Sequence, residues 1–130
     1  MSTKLELLLL VEDDDLEAQA AINVVREVSA NIAIVRQTIS DTALTYLRQV
    51  NVSPQLILFD IGLPEKTDGI KFIQEMRKIK PLEAVPIVIL TGLALDIARA
   101  HAANIAAGYI VKPVEIERLR ELFKQLGFET

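Results

Sequence analysis

The chain has 130 residues, no cysteine and a formal net charge of -4, and 51% of its residues are hydrophobic. That length fits one domain with a real core; the missing thiols exclude disulfides and thiolate metal sites; the acidic balance lacks the electrostatic footprint of a nucleic-acid binder. The run Leu7 to Val11 is too short for a signal segment, and Pro, Asp or Asn interrupts the other apolar runs before membrane-spanning length, so a soluble, cytoplasmic protein is expected.

Leu5 to Val11 reads as a first buried strand, ending in Glu12-Asp13-Asp14-Asp15. A helix follows, because Ala21, Val24, Val25 and Val28 fall on one apolar stripe. Asp15 is its expected N-cap, with Glu17 in the first turn, both favourable to the helix dipole. Asn31 to Val35 is the second strand, and a short helix from about Ser40 or Asp41 turns Leu44 and Leu47 inward. Pro54 opens the third strand, in which Leu56 to Phe59 run without a polar break into Asp60. Gly62 and Pro64 stop that strand, and a third helix from about Gly69 buries Ile70, Ile73 and Met76, with Pro81 beyond its end.

Val85 to Leu90 is the fourth strand, ending in Thr91-Gly92. Leu93 to about Ala103 is an alanine-rich helix, and Asn104 suits its C-terminal stop. Gly108 to Val111 is a short fifth strand ending in Lys112-Pro113. The last helix puts Ile116, Leu119, Phe123 and Leu126 on one face, and Gly127 ends it. Regular alternation of strand and helix predicts an α/β fold: a parallel, doubly wound sheet with helices on both faces.

In such a sheet the strand ends share one edge, where ligand sites form. Glu12, Asp13, Asp60, Thr91 and Lys112 therefore converge on one crevice. An Asp before a Gly-Pro loop is by itself as easily a turn residue, and Asp14 reads as a plain solvated loop residue. The combined set is harder to explain that way. Two like charges about 4 Å apart repel by roughly 4 kcal/mol at an effective dielectric near 20, so three clustered carboxylates call for a cation. Oxygen ligands without His or Cys suit hydrated Mg²⁺, and Lys112 can hold an anion beside it. A hard cation next to an anion describes a phosphate site.

The residues Val11-Glu-Asp-Asp14, Leu58-Phe-Asp60-Ile-Gly-Leu-Pro64 followed by Asp68-Gly69, Ile89-Leu-Thr91-Gly92 and Gly108-Tyr-Ile-Val-Lys112-Pro113 resemble the receiver domain of two-component response regulators. The resemblance spans the chain in order and spacing. It implies a flavodoxin-like (βα)5 fold with strand order 2-1-3-4-5 and five helices, one receiver domain over residues 1–130 and no output domain. It makes Asp60 the phosphoacceptor, served by a histidine kinase or histidine phosphotransfer protein. Glu12, Asp13, Asp60 and the Gly62 backbone carbonyl match the Mg²⁺ site, Thr91 and Tyr109 the switch pair, and Lys112 the phosphate-binding lysine. The Lys112-Pro113 bond matches one that is cis in the family. The chain would be a signalling switch and not an enzyme, signalling to a downstream protein target.

The sequence also departs from the family pattern. Glu12 stands where Asp is common, the loop from Pro64 to Gly69 is one residue longer, and Gly92 replaces the usual Ala, which leaves a phosphoryl group more open to water. Apart from the resemblance, Tyr109 reads as a core cap, and His101 as a surface residue. A dehalogenase-type phosphatase needs a second acid where Gly62 stands; neither GxxxxGK[ST] nor GxGxxG occurs; no nucleophile elbow accompanies the single His. The competing reading is a constitutive protein-binding module of the same fold. The smooth alanine-rich helix further suggests a homodimer through the predicted fourth helix, fifth strand and fifth helix.

Overall fold

The computed structural model describes residues 3–60, 69–92 and 106–130, without the side chains of Gly69 and Ile70. Five parallel strands, β1 (Leu7–Val11), β2 (Ala33–Gln37), β3 (Leu56–Asp60), β4 (Ile87–Thr91) and β5 (Gly108–Val111), form one sheet in the order β2-β1-β3-β4-β5. Among the described residues there are four α-helices: α1 (Asp15–Val28), α2 (Ser40–Gln49), α3 (Gly69–Arg77) and α4 (Ile116–Gln125), with a 3-10 turn at Lys80–Leu82. The alanine-rich helix expected over 93–103, with Asn104 and His101, lies outside the described residues, as does the 61–68 loop with Gly62, Pro64 and Asp68. The helix that the sequence places fifth is thus α4 in this numbering. No described helix is long and apolar enough to cross a membrane.

The sheet is covered on both faces, as unbroken apolar strands require. β3 and β4 are buried along their whole length. Alternation of side chains sorts each strand between two cores. Leu8 and Leu10, Leu56 and Leu58, and Val88 and Leu90 pack with α1 and α4. Leu9 and Val11, Ile57 and Phe59, and Ile87 and Ile89 pack with α2 and α3. Phe59 stacks on Phe72 of α3 at 4.5 Å between ring centroids and 11° between planes, which fixes α3 against the strand that carries Asp60.

Several expected details are corrected. The N-cap of α1 is Asp14, not Asp15: Asp14 has extended backbone and its Oδ1 accepts the Glu17 N–H at 2.8 Å. Asp15 is instead paired with Arg36. β2 runs two residues later than its apolar run suggests, because pairing with β1 sets it at Leu7↔Ala33 through Val11↔Gln37 and draws in two polar residues. β4 includes Thr91. Phe72 joins Ile73 and Met76 inside α3, and Leu122 joins Leu119 and Phe123 inside α4, where Ile116 and Leu126 are only partly buried.

Gly127 does end α4. It has φ 86°, the left-handed conformation glycine adopts without strain, and Phe128 N–H donates back to Phe123 O at 2.9 Å while the two rings meet edge to face. Thr3 N–H donates to Gly127 O and Glu129 N–H to Thr3 O, which ties this turn to the start of the described chain.

Leu58 sits at the centre of β3, 1% exposed, within the core cluster that α1 and α4 close. Leu58→Ala is expected to destabilise the domain by about 2–5 kcal/mol, read as a lower urea midpoint with an unchanged slope.

Candidate functional site

The register brings the polar residues together at the carboxyl edge. Val11 pairs with Phe59, so Glu12 lies beside Asp60; Asp60 pairs with Leu90, and Thr91 with Val111, so Lys112 emerges next to Thr91. The Lys112 N–H donates to Thr91 O at 2.7 Å, which locks the two strand ends. Glu12, Asp60 and Lys112 continue the alternation that faces α1 and α4, whereas Thr91 and Tyr109 continue the one that faces α2 and α3. Tyr109 is half-buried and packs on the second core, opposite Ile89. The Lys112-Pro113 peptide is cis.

The Lys112 ammonium, 13% exposed, lies 2.7 Å from Glu12 Oε2, 2.9 Å from Glu17 Oε2 and 3.2 Å from Asp60 Oδ2. Glu12, Asp60 and Thr91 are buried. Asp13 is exposed, yet one carboxylate oxygen from each of Glu12, Asp13 and Asp60 falls within 4.8 Å of the others. Glu12 Oε1 also accepts the Asp14 N–H at 3.2 Å, so this carboxylate braces the start of α1. Arg36, on the edge strand, holds the same loop from behind: its Nε donates to Glu12 O at 3.0 Å and a terminal nitrogen to Asp15 at 2.8 Å.

Burial pushes the Glu12 carboxyl up to about 7; the Lys112 ammonium and the Asp14 N–H pull it down, and the adjacent Asp60 pushes it up again. For Lys112 burial works downward, but hydrogen bonds to Glu12 and Glu17 and the charges of Asp60 and Glu12 hold the ammonium above its ordinary value. Among the described residues the site is therefore an excess of carboxylate around the Lys112 ammonium. Three clustered carboxylate oxygens fit a hard divalent ion by the chemistry of the donor set. A cavity of about 320 Å³ opens beside it, lined in part by Glu12, Glu17, Ala20, Gly92 and Lys112.

Of the predicted set, Glu12, Asp13, Asp60, Thr91 and Lys112 do meet at this edge, Tyr109 lies next to it on the other face, and Gly62 lies outside the described residues. Glu17 and Arg36 were not expected in the site. An acid three residues after the N-cap Asp14 has the spacing of a capping box, which points to the helix's own first turn and not to Lys112. Here that carboxylate reaches Lys112, and Glu12 takes the Asp14 N–H.

Residues 8–124 match the family model of the response regulator receiver domain. The chain belongs to that family, a family of signalling switches built on the receiver fold. Among curated relatives it is 27% identical over 126 residues to the "Probable methanogenesis regulatory protein FilR2" of Methanothrix harundinacea, an alignment covering 92% of this chain and 80% of that protein. It spans only 40–55% of the length of the other curated relatives it matches, three of which are named as transcriptional regulators. A solved two-component response regulator from Legionella pneumophila superposes with a TM-score of 0.79 at 26% identity, covering 95% of this chain and 98% of that one. The receiver domain of the sensor histidine kinase PA1611 from Pseudomonas aeruginosa, described with a magnesium ion coordinated in its active-site cleft, shares the fold at a TM-score of 0.77 and 23% identity, covering 92% and 95%.

The raised Glu12 has a consequence for stability. A carboxyl with pKa 4.5 when unfolded and about 7 when folded favours the fold fully below pH 4.5, and that contribution is lost as pH rises to about 7. In chelator, the wild type should lose stability relative to Glu12→Gln across this window by up to about 3 kcal/mol, and the difference should level off above it. Urea unfolding at half-unit pH steps measures it.

Proposed function

We propose that Asp60 accepts a phosphoryl group from a histidine kinase or a histidine phosphotransfer protein. The observation that carries this reading is the Lys112 ammonium 3.2 Å from a buried Asp60 at the end of the central strand, beside two further carboxylates. An Asp60 oxygen attacks phosphorus in line, the bond from phosphorus to the donor's imidazole nitrogen breaks, and the electron pair stays with the imidazole. Lys112 donates to a phosphoryl oxygen as charge shifts onto it. Glu12, Asp13 and Asp60, with the backbone carbonyl of Gly62, would hold Mg²⁺. When bound, Mg²⁺ supplies positive charge against the phosphoryl oxygens.

The acyl phosphate places new acceptor oxygens near the end of β4. Thr91 turns its hydroxyl toward them, and Tyr109 moves into the space on the α2/α3 face of the sheet. Their shared face supports this pairing. The altered surface binds a downstream protein in the cytoplasm, and the same carboxylate, lysine and hydroxyl set serves the hydrolysis that resets the switch. The 1–130 chain would act as a single receiver unit.

Intact mass after incubation with Mg²⁺ and phosphoramidate tests the reading. The wild type should gain one phosphoryl group, Asp60→Asn should gain none, and chelator should abolish the gain. An unmodified wild type would favour the constitutive binding module.

We further propose a homodimer through β5, α4 and the 93–103 segment, which lies outside the described residues. In its support, β5 is an edge strand and Val111 is 45% exposed on it. Sedimentation with the phosphate mimic beryllofluoride should show a dimer; a monomer at high concentration in both states refutes it.

A further inference from the structure

An ammonium has three N–H groups, and in this structure Lys112 faces three carboxylates: Glu12, Glu17 and Asp60. Two of these contacts, to Glu12 and Glu17, are hydrogen bonds, so a phosphoryl oxygen that takes a donor from Lys112 competes with them. The three are not equally held. Glu12 is 1% exposed and its other oxygen braces the start of α1, so its carboxylate would be stranded without the lysine. Asp60 carries the phosphoryl group in the proposed reaction. Glu17 is 49% exposed on the first turn of α1, where water and the helix N-terminus can stabilise a released carboxylate. The cavity beside it gives the side chain room to withdraw, and Ala20, one turn on, offers no bulk against that movement.

We infer that Glu17 is a releasable counter-ion: it holds Lys112 while Asp60 is unmodified and yields it to the incoming phosphoryl group. This rests on Asp60 being the phosphoacceptor. Glu17 is then a positioning residue that restrains phosphorylation by occupying the lysine. The ammonium keeps its protons throughout; one N–H changes acceptor from Glu17 Oε2 to a phosphoryl oxygen. Holding the lysine in this way sets how reactive the domain is toward any donor, without touching the nucleophile.

The test follows phosphoprotein formation by intact mass against phosphoramidate concentration, with Mg²⁺, for wild type, Glu17→Gln, Glu17→Ala and Glu17→Asp. Loss of the charge in Gln or Ala should raise the apparent second-order rate constant about three- to tenfold, and Asp should restore the restraint. Glu27→Gln, an exposed change on the same helix away from the site, should leave the rate alone. In a Lys112→Met background Glu17→Gln should lose its effect. A Gln rate equal to or below wild type, the same gain in Glu27→Gln, or a gain that survives Lys112→Met each overturns the inference while leaving Asp60 as acceptor. A wild type that never gains a phosphoryl group overturns both.

Discussion

Among the described residues, one ammonium answers for four carboxylates. Lys112 contacts Glu12, Glu17 and Asp60, and Asp13 lies within reach of two of them. Like charges a few ångströms apart in a partly buried site repel by several kcal/mol, and Glu12 and Asp60 are buried, so little water screens that pair. Such a cluster persists only when its charge is offset. The lysine supplies one offset, and a proton retained on Glu12 to about pH 7 supplies another. A divalent cation would supply a third, and a proton and a metal compete for the same oxygens. The proposed chemistry uses this imbalance: a site short of positive charge takes up a metal, and with the metal it becomes able to take an anion.

The strand order is what creates the imbalance. With β3 central and β1 and β4 on either side, acids that lie 48 residues apart in the chain (Glu12 and Asp60) end on adjacent strands, and Lys112 arrives from β5 through the last crossover. Hydrophobic burial holds them there. Leu58, Val88 and their neighbours on one face, and Phe59 stacked on Phe72 on the other, leave the edge residues no freedom to spread apart. The packing that stabilises the domain also sustains the electrostatic tension at its edge.

Much of this was legible in the sequence because buried parallel strands are written as unbroken apolar runs, and a run that ends in an acid, a hydroxyl or a lysine marks its own carboxyl end. β3 and β5 were readable for that reason. β2 was not placed correctly, since an edge strand is defined by its pairing as much as by its hydrophobicity, and Arg36 and Gln37 look like loop residues until the register with β1 is known. Arg36 proves to be a brace for the acidic loop. The N-cap was misread by one residue because four consecutive acids offer equivalent caps, and only the tertiary partner of Asp15 breaks the tie. Glu17 was read as a charge suited to the helix dipole. Its contact with Lys112, 95 residues away, is a product of the crossover and has no local signal.

The sheet also separates the chemistry from its consequences. Glu12, Asp60 and Lys112 follow the alternation toward α1 and α4, and Thr91 and Tyr109 follow the opposite one. What joins the two faces is the end of β4, where Thr91 O accepts the Lys112 N–H at 2.7 Å, so the residue that would sense a phosphoryl group shares a peptide hydrogen bond with the residue that would bind it. A change at the carboxylate cluster therefore has a short, stiff route to the α2/α3 side. In the proposed switch, the energy needed to move a population from 1:99 to 99:1 is roughly 5.5 kcal/mol. Charge-assisted hydrogen bonds made only after phosphorylation are of the size to supply it. Because Lys112 already has acceptors, its bond to a phosphoryl oxygen would add only the difference between that oxygen and the Glu17 carboxylate it replaces.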